Sequence, residues 1–206
     1  MPSNPIDPNA NKNPFAIFEN WLNTAALAGE KAPEAMTVAT ANKKGFPSAR
    51  ILLLKHFDEK GFVFYTNSNS RKGIELNENP LATLLFFWKT LDRQVRIEGS
   101  VSLISPDEAD AYFKTRPHLS KVGAHISSQS SPLKSWETLE AQLEAQKKLY
   151  KVSENVPRPN YWNGYRVNPS VFEFWEAKPF RLHHRVQFHR KMDIVASLWE
   201  KELLYP

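Results

Sequence analysis

Apolar residues recur along residues 15–28 at Phe15, Ile17, Phe18, Trp21, Leu22, Ala25 and Ala26, the stripe of an amphipathic helix that Gly29 ends. The period then falls to two. Residues 36–40 and 48–55 read as strands joined by a turn over 42–47, and Leu-Ala-Thr-Leu-Leu-Phe-Phe-Trp at 81–88 reads as a buried strand. Residues 51–54 and 62–65 flank Asp58-Glu59-Lys60-Gly61, which is turn chemistry, so these two runs are expected to pair as a hairpin. Between 93 and 103, Val95, Ile97, Val101 and Leu103 face one way, with Gln94, Arg96, Glu98, Ser100 and Ser102 opposite. Ser70 is placed to cap a short helix ending near Asn77. Ser105-Pro106-Asp107-Glu108 is a capping box opening a helix to Arg116, and Ser135 caps a long helix from Trp136 to about Tyr150. A helical turn or two is expected over 119–127, and Ser120 is placed to cap it. Residues 165–167, 171–175 and 182–188 add three strands, while the tail to Pro206 fits strand and helix equally.

The order is one helix, a meander of about five strands, a helical insertion, then more strands. Hairpins with few crossover helices point to an antiparallel β-barrel, mainly β with flanking helices, rather than a doubly wound sheet. Residues 1–14, rich in proline and asparagine with almost nothing apolar, are expected to form a disordered arm. Residues 15–206 then make a single domain, for which a chain of 206 residues with 41% hydrophobic content supplies a core of ordinary size. The absence of cysteine excludes disulfides, thiolate metal sites and thiol catalysis. No apolar run is long enough to span a bilayer as a helix, so a soluble, cytoplasmic protein is expected. The net charge of +5 favours anionic partners.

Cations gather at particular places. Arg50 and Lys55 bracket the strand over 50–55 and, at odd spacing, point to opposite faces, so one phosphate does not bridge them. Arg71 and Lys72 fall in the first turn of the helix capped by Ser70. Cations usually sit at the other end of a helix, and free amides with cations here form a phosphate site. Tyr112 and Arg116 share a helix face, with Ser120 just beyond Pro117. A phenol, a guanidinium and a hydroxyl would hold a second phosphate; the same spacing also fits a helix-end arginine bonded to its own carbonyls. Alternation puts Arg181, His183 and Arg185 on one side of a strand, with Leu182 and His184 on the other. That group fits a pocket floor or a solvated edge strand. His189 is near in sequence, but no carboxylate neighbour completes a ligand set, so no metal is assigned. No phosphate-binding loop, dinucleotide fingerprint or nucleophile elbow is present.

In order and spacing, several segments resemble the pyridoxine (pyridoxamine) 5′-phosphate oxidase family of FMN-binding split barrels. They are Arg50-Ile-Leu-Leu-Leu-Lys55, Phe64-Tyr65-Thr66-Asn67, Ser70-Arg71-Lys72-Gly73, Arg93-Gln94-Val95-Arg96-Ile97-Glu98-Gly99, Tyr112-Phe113 with Arg116-Pro117, Gln129-Ser130, Val156-Pro157-Arg158-Pro159, Phe172-Glu173-Phe174-Trp175 and Arg181-Leu182-His183. The resemblance implies a homodimer with two FMN sites at the interface. It assigns FMN to Arg50, Ile51, Leu52, Leu53, Leu54, Lys55, Tyr65, Thr66, Arg71, Lys72, Gln94, Gln129, Ser130, Trp175 and Arg185. It assigns the phosphate of pyridoxine or pyridoxamine 5′-phosphate to Lys55, Tyr112, Arg116 and Ser120, with Arg181 and His183 over the pyridine ring as the catalytic pair. The implied chemistry is hydride transfer from substrate C4′ to flavin N5 and reoxidation by dioxygen to hydrogen peroxide. Where the family reads Arg-Leu-His-Asp-Arg this chain has His184, its arm lacks the family's Arg and Tyr, and it ends Leu203-Leu204-Tyr205-Pro206 instead of Arg-Leu-Ala-Pro. Two other functions follow from different weightings of the same features: a related flavoprotein oxidising a phenazine-like precursor, and a non-catalytic flavin or pyridoxal-phosphate carrier. A nucleic-acid module is disfavoured, because the aromatic runs read as buried rather than as stacking platforms.

Overall fold

The computed structural model describes residues 13–151, 155–192 and 197–206. The expected arm lies outside these residues except for its last two, which belong to the first helix instead. Asn13 accepts the Phe15 N–H at 3.0 Å and Pro14 takes the first helical position of α1 (Pro14–Leu27). The strands are β1 (Ala35–Ala41), β2 (Pro47–Leu53), β3 (His56–Asp58), β4 (Gly61–Asn67), β5 (Leu81–Trp88), β6 (Arg93–Leu103), β7 (Trp162–Glu176), β8 (His184–Met192) and β9 (Ser197–Leu204). Helix α2 (Arg71–Glu78) precedes β5. Helices α3 (Pro106–Thr115), α4 (His118–Ile126) and α5 (Trp136–Leu149) form the insertion before β7. Among the described residues no helix is long and apolar enough to cross a membrane.

All nine strands join one antiparallel sheet that runs β2-β1-β5-β6-β7-β4-β3, with β8 added to β7 and β9 to β8. The expected hairpin between 51–54 and 62–65 does not form. Residues 47–53 pair with β1, and the turn at 58–61 joins β4 to the three-residue β3. The chain crosses from one edge of the sheet to the other between two adjacent residues: Leu54 donates its N–H to Glu34 O and Lys55 donates to Val63 O. Gly61 fits the tight turn because its φ is +132° and a Cβ would lie 2.1 Å from Val167 O. Strand β7 is one element of fifteen residues where two strands were expected, and it carries the branch. Its first half borders β4 and its second half borders β8. The bulge between Glu98 and Gly99 lies opposite Pro169 at that branch, where a Cβ on Gly99 would meet Asn168 O at 1.9 Å.

Helix α1 closes the curled sheet. Phe18, fully buried, meets Phe57, Phe62 and Phe86 edge-on at 5.0 Å each, and Trp21 packs against Phe174. Only one face of β5 enters this core, so Phe87 is exposed and the strand is half-buried rather than buried. The tail resolves as strand β9.

Candidate active site

The first group of candidate residues is organised by α2. Ser70 caps the helix through Gly73 N, as its position predicts, and the first turn holds Arg71 and Lys72 with no acidic residue. Lys72 is buried, and its Nζ donates to Thr66 Oγ1, Ser70 Oγ and Gln129 Oε1 at 3.2, 3.2 and 3.0 Å. All three acceptors are neutral. Burial, with the Arg50 charge adding to it, pushes the Lys72 ammonium down to about 8 against the pull of Glu75. Residues 48–52 with Arg71, Lys72, Gln129 and Ser130 wall a cavity of about 400 Å³. Apart from Ser48 and Ala49, every lining residue is one the resemblance assigned to FMN. Ser130 keeps a left-handed backbone, φ 74°, which costs a non-glycine residue about 1 kcal/mol or more.

Within β2, Arg50 and Leu52 turn inward, while Ile51 and Leu53 are exposed; Leu54 belongs to the core. Arg50 donates to Val38 O at 3.0 Å, to Thr40 Oγ1 at 2.7 Å and to both oxygens of Ser48, and lies 3.5 Å from Glu75. Lys55 is exposed and lies beyond the crossing, so it does not share one strand with Arg50 as expected, because β2 ends at Leu53.

A second group surrounds Arg116. Tyr65 stacks on Tyr112 at 4.1 Å and on Trp162 at 4.9 Å, so one residue assigned to FMN and one assigned to substrate are in direct contact. The Arg116 guanidinium lies over Trp162 at 4.8 Å, and its buried Nη1 has no hydrogen-bond partner. The alternative of a helix-end arginine bonded to its own carbonyls is therefore not what forms. Burial lowers the Arg116 pKa and raises that of Tyr112. An unpartnered buried N–H of a cation calls for an acceptor, and an anion supplies one. Ser120 is exposed and does not cap α4; Pro117 occupies that position and Ser120 is the third helical residue. Trp162 was not legible as a site residue, since its ring matters only once β4 and β7 are paired.

The third group lies on the outer face of the sheet. Register places Phe87, Gln94, Trp175, Arg185 and Leu204 in one row across β5 to β9. Arg181 and His183 do not share a strand with Arg185 as alternation suggested, because β8 starts at His184. They sit in a 3-10 turn, Pro179–Arg181, and just after it, with Phe180 and Arg181 both left-handed at φ 59° and 64°. The His183 ring lies 4.7 Å from Trp175, and its Nδ1 accepts the Lys178 N–H, which leaves Nε2 to carry the proton of the neutral ring. Arg185 takes its carboxylate partner from β7. Glu173, buried, accepts from Arg185 Nε at 2.9 Å and from Arg96. Among the described residues no three His, Asp or Glu side chains gather to hold a metal. No hydrogen bond or ion pair among the described residues links this row to the α2 cavity.

A split antiparallel barrel with two separate cationic sites is the class of protein these features define. Residues 22–149 match the family model described as "Pyridoxamine 5'-phosphate oxidase", and residues 162–206 match "Pyridoxine 5'-phosphate oxidase C-terminal dimerisation region". The chain belongs to the pyridoxamine 5′-phosphate oxidase family and is an oxidoreductase carrying that family's dimerisation region. A pyridoxine/pyridoxamine 5′-phosphate oxidase from Azorhizobium caulinodans is 48% identical over 208 residues, covering 100% of this chain and 97% of its own. One from Gloeothece citriformis is 51% identical over 177 residues, covering 86% of this chain and 82% of its own. Among solved structures, PhzG from Burkholderia lata, in complex with tetrahydrophenazine-1-carboxylic acid, superposes with a TM-score of 0.90 at 32% identity, covering 100% and 97% of the two chains.

Proposed function

We propose that this chain is an FMN-dependent oxidase that converts pyridoxine 5′-phosphate or pyridoxamine 5′-phosphate to pyridoxal 5′-phosphate, with dioxygen as acceptor and hydrogen peroxide as product. The observation that supports the reading is two distinct cationic groups, Lys72 with Arg71 in the cavity wall and Arg116 with its unpartnered Nη1. One suits the phosphate of the cofactor and the other that of the substrate. The residues present fit FMN: the cavity of about 400 Å³ has cations at a helix start, where an anionic tail is favoured.

When bound, the flavin accepts a hydride and passes two electrons to dioxygen. The chain's own residues bind, orient and move protons. Arg71, Lys72 and the free amides of α2 hold the flavin phosphate; Gln94 offers a donor and an acceptor to a heterocyclic edge. Arg116, Tyr112, Lys55 and Ser120 hold the substrate phosphate, and stacking on Trp162 fixes the Arg116 plane. Arg181 and His183 lie over the pyridine ring, with the His183 Nε2–H the group that donates a hydrogen bond or delivers a proton. Pyridoxine phosphate loses hydride and proton to become the aldehyde; pyridoxamine phosphate gives an imine that water hydrolyses with release of ammonia. Two copies complete each site, the α2 cavity of one facing the Gln94–Trp175–Arg185 row of its partner. The match to the dimerisation region and the lack of bonding between those groups within one chain support this arrangement. The setting is cytoplasmic in this reading.

Oxygen uptake with pyridoxine 5′-phosphate, with and without added FMN, tests the proposal. Uptake that requires both compounds is expected; none from FMN-loaded protein on either phosphate ends it. The likeness to PhzG favours a second reading, an unphosphorylated tricyclic substrate. Assaying such a compound beside pyridoxine phosphate separates the two, and Arg116 favours the phosphate.

A further inference from the structure

We propose that Glu75 is a positioning residue of the flavin-phosphate site, holding Arg71 by its Nε edge so that the other edge of the guanidinium faces the cavity. The inference rests on the flavin reading above and assigns a role to a residue outside the set that the resemblance supplied.

Glu75 lies one helical turn after Arg71 and is only 3% exposed. Its Oε1 accepts the Arg71 Nε–H at 2.8 Å. Its Oε2 accepts the hydroxyls of Thr40 and Ser48 and lies 3.5 Å from Arg50 Nη2. Arg50 is in turn fastened to Val38 O and Thr40 Oγ1 on β1. The carboxylate is thus anchored to β1 and β2, and it is Arg71, with a side chain 61% exposed, that must adapt to it. A guanidinium has five N–H groups; with Nε–H engaged, the two Nη groups form the edge that binds phosphate bidentately.

Charge alone argues against a carboxylate beside an anion site, because Glu75 repels the phosphate that Arg71 attracts. It is nevertheless ionised: burial pushes its pKa up, but the Ser48 and Thr40 hydroxyls and Arg71 outweigh this and hold it at about 2. The two roles therefore predict opposite signs. If Glu75 acts through charge, neutralising it tightens FMN binding. If it acts by aligning Arg71, neutralising it weakens FMN binding.

The test is a flavin-fluorescence titration of the full chain and of Glu75→Gln with FMN and, separately, with riboflavin, which lacks the phosphate. The expected result is an FMN affinity lower by about tenfold or more, the scale of one charge-assisted hydrogen bond, with riboflavin affinity unchanged. Tighter or unaltered FMN binding overturns the proposal, and so does an equal loss for both flavins, which marks a merely structural role. Equal affinity of the unaltered protein for the two flavins defeats the underlying flavin-phosphate reading instead, and is seen without any variant. Should Glu75→Gln not fold, Ser48→Ala removes one hydroxyl from Oε2 and keeps the charge. FMN weakened with riboflavin unaffected then supports the assignment, and unaltered FMN binding overturns it.

Discussion

The ring of Tyr65 lies flat on the ring of Tyr112, with planes 9° apart. Tyr65 belongs to β4, which leads to the α2 cavity, and Tyr112 to α3, which ends at Arg116. One stack therefore joins the strand that leads to the first cationic group to the helix that ends at the second, and Trp162 extends it to carry Arg116 on its face.

Arg116→Ala removes the only buried guanidinium nitrogen of this group that lacks a partner among the described residues. KM for pyridoxine 5′-phosphate is expected to rise about thirtyfold, the scale of about 2 kcal/mol for a charge-assisted contact. FMN affinity should stay within about twofold. Steady-state kinetics beside flavin titration read both; equal losses would place Arg116 in the wrong pocket.

With Lys72 holding the flavin phosphate as proposed, its ammonium, pushed down to about 8, should give FMN binding a pH dependence. Binding to a phosphate favours the protonated form, so affinity should be level between about pH 7 and 8 and fall about tenfold per unit above it. For the apoprotein the sign is reversed. The unfolded chain keeps the Lys72 proton up to about 10.5 and the folded one releases it near 8, so this residue's contribution to stability rises with pH across that window. Titrations at several pH values, repeated with Lys72→Met, isolate the effect.

Glu173 joins Arg96 and Arg185 on the outer face of the sheet. Glu173→Ala leaves two guanidiniums without their shared carboxylate. Because both arginines are part-exposed and can rehydrate, a loss of about 2 kcal/mol, below the full cost of an orphaned buried charge, is expected in chemical denaturation.

Phe180 is 92% exposed and left-handed. Phe180→Gly relieves that conformation and should leave stability unchanged or raise it by up to about 1 kcal/mol. Arg181→Gly relieves the neighbouring φ in the same way but should abolish most turnover while flavin content is retained. A thermal melt and an activity assay on both variants separate backbone strain from side-chain chemistry.

Local signals were readable and distant ones were not. Ser70, Ser105 and Ser135 each cap a helix through the N–H three residues on, because a cap is decided within one turn. The turn at 58–61 is equally plain, yet the strand before it is the short β3 and not the apolar run 51–54. The apolar run 51–54 looks like a hairpin partner, but Ile51 and Leu53 point outward and the strand answers to β1, whose pairing no local rule reveals. Basic candidates stood out by type. Their supports, Glu75, Trp162 and Glu173, did not, since each becomes meaningful only through a contact across strands or helices far apart in the chain.

The passage from Leu54 to Lys55 leaves no slack. A residue gained or lost in the turns at 42–46 or 58–61 can be absorbed as a longer or shorter loop. The same change between 53 and 56 would turn one flanking strand inside out, sending either Arg50 away from Thr40 or Phe57 away from Phe18. Chain length is therefore rigidly counted at this one step, and engineering by insertion belongs at the two turns instead.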